Sequence, residues 1–407
     1  SLMRVALFLA AIVTSGALAT DWPQWRGPRR NGTSDEAVIT SFPSTGPKVL
    51  WKAEVGLGFS SFTIANGKVY TLGHAGEQDT VFCFDAKTGR ESWKHSYDAE
   101  LGDKYFEGGP TSTPTVSGNR VFSLSRWGDL FCFDAANGKV IWTKNLAKEM
   151  GATVPDWGFA GSPLVHDDLL ILNVGDYGTA LDKNTGSVRW KSGPESAGYC
   201  TPLPYKHDGR WFATAANTKG YYAVDLATGK PQWFFKWVTR YGINAADPII
   251  NGDEFLISTG YSKGCALIKP GTGEPAVVWQ SRDLRTQMNP GVLVGGYVYG
   301  IDGDEGSRPE LKCLEMATGK ITWKVPSPKG GGLMVAQDKL IVLTGQGELS
   351  IAKASPSGFD PLATAQILKG KCWTAPVLAN GVLYCRNAEG TVVALDVKES
   401  ATPRTLP

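Results

Sequence analysis

The sequence predicts an all-β chain: an eight-bladed β-propeller of four-stranded antiparallel blades, the last closed by a strand from the N-terminal side. Three observations predict it. The first is a short motif, an apolar strand, a turn and a Trp-bearing strand, seen in Cys83-Phe84-Asp85-Ala86-Lys87-Thr88-Gly89 followed by Trp93. An Asp carboxylate can fold back onto N–H groups further along the turn, and Gly supplies the positive φ that ends it without steric cost. The second is recurrence. Asp134, Gly138 and Trp142 repeat the motif, as do Asp182, Gly186 and Trp190, then Asp225, Gly229 and Trp233, then Gly319 and Trp323. A stretched copy ends at Trp279, and Trp51 stands alone ahead of them all. Trp51, Trp93, Trp142, Trp190, Trp233, Trp279 and Trp323 are 42, 49, 48, 43, 46 and 44 residues apart, a period that fits four-strand propeller blades. The third is a pair of complementary ends. Trp51 sits on an orphan outer strand, Val49 to Val55, while the last repeat, Trp373 to Val397, has only three strands. Joining them removes two open sheet edges.

In chain order, Val5 to Val13 is apolar, follows Arg4 and precedes Ala17-Leu18-Ala19. This reads as a secretory signal peptide over 1–19, too short for a comfortable membrane span. Residues 20–45 follow as an irregular arm with Trp22, Pro23, Trp25 and Pro28, expected to lie on the domain surface. The propeller is placed at 46–398 and a tail at 399–407. Inner strands open with Pro after a small or polar residue: Thr113-Pro114, Ser162-Pro163, Thr201-Pro202, Asp247-Pro248, Asn289-Pro290 and Ala375-Pro376. Pro is tolerated at strand starts. Asn66-Gly67, Asn251-Gly252 and Asn380-Gly381 read as hairpin turns into the second strands.

The 407 residues carry 41 Lys and Arg against 39 Asp and Glu, a net charge of +2, with no long run of either sign. That argues against nucleic acid as a partner. The seven cysteines include no Cys-x-x-Cys pair, and Cys83, Cys132 and Cys313 occupy a motif position that Ala holds elsewhere. They are expected to be small buried residues, and Cys83 and Cys132 too far apart to bridge. His74, His95, His166 and His207 fall in different blades without ligand spacing. Asp302-Gly303-Asp304 resembles a calcium loop but lacks the EF-hand Gly and Glu positions. No nucleophile elbow or phosphate-binding glycine loop is present. Two long connections, Asp98 to Pro110 and Ala147 to Gly161, bring Tyr105, Phe106, Trp157 and Phe159 to one face. Second-to-third-strand loops add Arg126, Trp127, Lys219, Tyr261, Lys263, Asp302, Asp304 and Arg386. Aromatic and Arg anchors among polar neighbours make a recognition surface.

The Ala-x-Asp-x-x-Thr-Gly-x-x-x-Trp repeat, best kept in Ala180 to Trp190 and Ala223 to Trp233, resembles the tryptophan-docking motif of pyrroloquinoline quinone (PQQ) dehydrogenases, BamB and secreted PQQ-like repeat proteins. The resemblance covers about residues 21–398. It implies a monomeric periplasmic or secreted scaffold that binds an envelope protein or extracellular polymer, with no cofactor. The alternatives it implies are a PQQ- and calcium-dependent dehydrogenase of alcohols or polyvinyl alcohol, and a carbohydrate-binding propeller. The dehydrogenases carry adjacent cysteines over the quinone; this sequence has none, and it lacks the lipidated Cys of BamB.

Overall fold

The computed structural model describes residues 20–400 except 272, 304 and 305. The expected signal peptide, the end of the tail and Asp304 therefore lie outside the described residues. Eight sheets follow one another in chain order. Blades one to seven span 63–98, 115–145, 164–191, 203–236, 249–281, 292–326 and 331–366, and blade eight begins at 377. Within each, strands pair antiparallel with their neighbours in sequence. The first strands of adjacent blades approach one another around a central channel, and the Trp strand is outermost.

Ring closure is as the ends implied. Strand β1 (Thr33–Ser34) and strand β2 (Lys48–Glu54) precede blade one. β2 pairs antiparallel with Thr391–Asp396, from Lys48 opposite Asp396 to Glu54 opposite Thr391, and becomes the fourth strand of blade eight. Two of the three hairpin signals sit in their turns: Asn66-Gly67 and Asn380-Gly381 all have positive φ. The third is displaced by one residue. Asn251 still pairs with Glu254, so Gly252-Asp253 make the turn.

The repeated motif is a joint between blades. In blade one, Asp85 Oδ1 accepts the N–H groups of Lys87 (2.9 Å) and Thr88 (3.0 Å). Gly89, at φ 71°, presents a bare face to the preceding blade, and a Cβ there would lie 2.5 Å from the Trp51 ring. Trp51 lies flat on that glycine and donates its indole N–H to Ala86 O at 2.9 Å. Trp93 repeats this with Ala135 O, Trp142 with Lys183 O, Trp190 with Leu226 O, Trp279 with Met316 O and Trp323 with Ser355 O. Opposite Trp93, Trp142 and Trp323 stand Cys83, Cys132 and Cys313. All seven cysteines are buried and unbridged.

Two junctions depart. Trp233 donates to Tyr205 Oη at 2.9 Å, within its own blade. Blade seven has Ala363 in the Trp position, opposite Ile351. There the arm takes over. The Ile39 backbone N–H donates to Val397 O at 3.0 Å, the carbonyl just after Asp396, as an indole does elsewhere.

The arm packs against the ring, and part of it, around Trp22, Arg26 and Gly32, is buried rather than laid on the surface. It plugs the channel. Trp22 exchanges 2.8 Å backbone bonds with Ile64, Pro23 O accepts Val116 N, and Gly32 O accepts Val335 N. β1 pairs parallel with the inner strand of blade seven. Arg26 donates to Pro290 O (3.0 Å) and Gly291 O (2.8 Å) at the start of blade six. The arm thus touches the inner strands of blades one, two, six and seven. Burial of Trp22 drives this placement, and the carbonyls of inner strands satisfy Arg26.

Candidate functional site

The channel is open at the opposite end, where fourth-to-first and second-to-third connections emerge. Just below that mouth, a girdle of bonds links four junctions. Thr113 Oγ1 accepts Ser61 N at 3.0 Å, and Ser162 Oγ accepts Thr113 N at 3.0 Å. Thr201 Oγ1 accepts Ser162 N at 3.0 Å, and Asp247 Oδ1 accepts Thr201 N at 2.8 Å. Each acceptor is the residue before an inner-strand Pro. The fourth link thus replaces a hydroxyl with a carboxylate, and Asp247 Oδ2 takes the indole N–H of Trp25 from the arm at 2.7 Å.

Above Trp25 and Asp247 lies a cavity of about 630 Å³, walled by Phe59, Phe106, Trp157, Tyr199, Tyr261 and Trp373. It opens into a wider vestibule of about 1090 Å³ that shares Tyr105, Trp157, Tyr261, Gln287, Met288, Asn289 and Trp373 with it. The Tyr105 and Trp157 rings stand 4.9 Å apart, and Tyr105 is 55% exposed. Asn289 Nδ2 holds Gly331 O and Trp373 O. At the rim Lys371 Nζ meets Glu107 Oε1 at 2.7 Å and sits 3.6 Å from the Trp373 ring centroid.

Four of the expected face residues, Tyr105, Phe106, Trp157 and Tyr261, come together here. The others do not. Arg126 is 2% exposed. It lies over the Phe106 and Trp127 rings and donates to Leu101 O and Gly109 O, fastening the long connection from below. Trp127 bonds Glu100 O and lines neither the cavity nor the vestibule. Phe159 is core. Asp302 is buried between Arg285 (2.9 Å) and Lys312 (3.2 Å). Arg386 is wholly buried among carbonyls of blade one. Lys219 and Lys263 lie outside the cavity; Lys263 covers the Trp237 ring at 4.6 Å. His74 is structural, with Asp79 Oδ1 and Gly76 O each 2.8 Å from its ring nitrogens.

Sequence reasoning missed Trp25, Phe59, Tyr199, Trp373 and Asp247. Only Asp247 carried a signal, as the lone acid in the Thr/Ser-Pro series. Burial raises its carboxyl from the usual 3.8 to about 6, against the opposing pull of the Arg26 charge and the Trp25 and Thr201 donors. Burial also lowers the Arg26 guanidinium to about 10. A carboxyl whose folded pKa lies above its unfolded value stabilises the fold fully below pH 3.8, and that contribution is lost as pH rises through 6. The shift corresponds to about 3 kcal/mol across that window. Urea unfolding at steps from pH 4 to 7 should show this loss, and Asp247→Asn, though less stable overall, should lack that part of the slope. Equal slopes in the two proteins would remove Asp247 as its source.

The fold and joints define an eight-bladed propeller of tryptophan-docked repeats with a funnel plugged at one end. The model of the outer membrane protein assembly factor BamB family matches residues 34–172, 77–325 and 307–402, and the chain belongs to this family. Among solved structures, BamB from Moraxella catarrhalis aligns at TM-score 0.61 and 18% identity, over 86% of this chain and 99% of that one. Quinohemoprotein alcohol dehydrogenase from Comamonas testosteroni gives 0.67 and 15%, over 95% and 82%. A europium-containing methanol dehydrogenase gives 0.68 and 13%, over 92% and 89%. At these identities the likeness is one of fold. A search of curated proteins finds no match. Among the described residues, no helix is long and apolar enough to cross a membrane.

Proposed function

We propose that this chain is a periplasmic or secreted binding scaffold of the cell envelope, whose aromatic funnel holds a protein segment or polymer without redox chemistry. The observation that carries this reading is the state of the charges at the funnel. Lys371 is paired with Glu107, and both Asp247 oxygens already accept protein donors beside the Arg26 charge. What the inner cavity leaves for a ligand is ring surface and neutral polar edges, the composition of a recognition pocket, while Asp156, Arg308 and Lys329 line the vestibule outside it.

Among the described residues no three His, Cys, Asp or Glu side chains come together as a cation site, and none of the seven buried cysteines lines the funnel. The dehydrogenase names of two similar structures favour the competing reading, so the test addresses both. Purified protein should be retained on isolated envelope fractions, and a Tyr105→Ala/Trp157→Ala variant should be retained about tenfold less, the loss typical of aromatic anchors. Saturable binding of PQQ with calcium, accompanied by turnover of an alcohol, would overturn the scaffold in favour of the enzyme.

A further inference from the structure

The funnel is a dead end, and its dead end is built from the chain's own arm. Trp25 and Asp247 form its floor, and beneath them Arg26 is fixed to Pro290 O and Gly291 O. A polymer entering from the vestibule cannot thread through the ring. It can present only a terminus to the floor.

The chemistry of that terminus is constrained by charge. A peptide end brings an ammonium or a carboxylate, and burying either without a free counter-charge is costly. The fixed charges of the cavity already answer one another: Asp247 beside Arg26 at the floor, Lys371 on Glu107 at the rim. A neutral, hydroxyl-rich end meets no such penalty. Its hydroxyls can donate to the second lone pairs of Asp247 and to the Asn289 carboxamide oxygen. The Trp25 and Trp157 rings offer electron-rich faces to the polarised C–H bonds of a sugar ring. The cavity volume lies in the range of small-ligand sites, and the vestibule beyond continues it outward.

We infer that the funnel recognises the end of a neutral carbohydrate chain, capping it rather than gripping it along its length. This rests on the reading of the funnel as a binding site and deepens it. The funnel tryptophans supply the signal for the test. The intact protein is titrated, with intrinsic fluorescence as readout, against linear oligosaccharides including malto-, cello- and chito-oligosaccharides, against cyclic glucans including β-cyclodextrin, and against short peptides with free ends. At least one linear series should bind saturably, with cyclic glucans and peptides at least about tenfold weaker. Trp157→Ala should weaken the linear ligand at least about tenfold while melting at the wild-type temperature. Tyr261→Ala, on the facing wall, provides a second variant should the first melt early. Equal binding of cyclic and linear chains would overturn end recognition. Preference for charged peptide ends, or no binding by any linear sugar, would overturn the carbohydrate assignment. If envelope retention persists while every sugar fails, only this inference falls; if both fail, the scaffold reading falls with it.

Discussion

Deletion of β2, residues 48–54, is expected to abolish cooperative unfolding and drive the protein into aggregates. The strand supplies the whole outer ladder of blade eight, and without it Thr391–Asp396 becomes an open edge. It also carries Trp51, 7% exposed, the indole that docks blade eight onto the Gly89 turn of blade one. Losing ladder and joint together removes an amount comparable to the stability of an ordinary domain, about 5–15 kcal/mol. Calorimetry and size-exclusion chromatography of the deletion protein provide the measurement. A monomer melting cooperatively at the wild-type temperature would show that the ring is not held by this strand.

The second large effect is expected at Arg386. It comes from blade eight and reaches across the seam to blade one, donating to Leu72 O (2.7 Å), Gly56 O (3.0 Å), Ser60 O (3.3 Å) and Thr71 Oγ1 (3.3 Å). Burial lowers its guanidinium to about 10, yet it remains the donor for these four acceptors and, through Nε, for Asn387 O at 3.2 Å. Arg386→Ala removes all of these donors at once; Thr71 Oγ1 keeps its bonds to Ser60 O and Ser61 O, and each carbonyl left without a donor costs about 1–3 kcal/mol before relaxation. A net loss of about 4–5 kcal/mol follows if the seam relaxes in part. Arg386→Lys, with one point charge instead of a fork, should fall between. Urea unfolding midpoints decide it, and a change under about 1 kcal/mol for the Ala variant would mean the seam does not depend on the fork.

These residues also mark the boundary of what could be read from the chain. The joints were legible because they repeat: Asp, Gly and Trp return at fixed offsets, and a repeat betrays itself without any knowledge of packing. β2 was legible because its absence from one end matched a surplus at the other. Arg386, Asp302 and Arg126 were read as surface groups, since charged side chains usually are. Their partners are mostly backbone carbonyls or distant charges, which leave no trace in side-chain identity. Phe159 failed for the converse reason, an aromatic in a long connection that turns inward. The arm gave composition without direction. Two tryptophans outside any period say that burial is wanted, not where. Tyr199 and Trp373 sit in short connections with no motif of their own, so the funnel wall took shape only once the ring was closed.

The arm's replacement of the missing tryptophan at the junction of blades seven and eight carries a consequence for biosynthesis. Ile39 and β2 leave the ribosome long before their partners, Val397 and Thr391–Asp396, which follow only after seven blades have been made. Every other described tryptophan joint can form as soon as the next 32–42 residues have emerged. This junction cannot. The nascent chain must therefore carry an unpaired strand and an unseated arm while seven blades are made, a period in which open edges invite wrong partners. Synthesis rate and chaperone supply should bear on this protein's yield chiefly through that waiting time, and the emergence of Thr391–Asp396 is the clock that ends it.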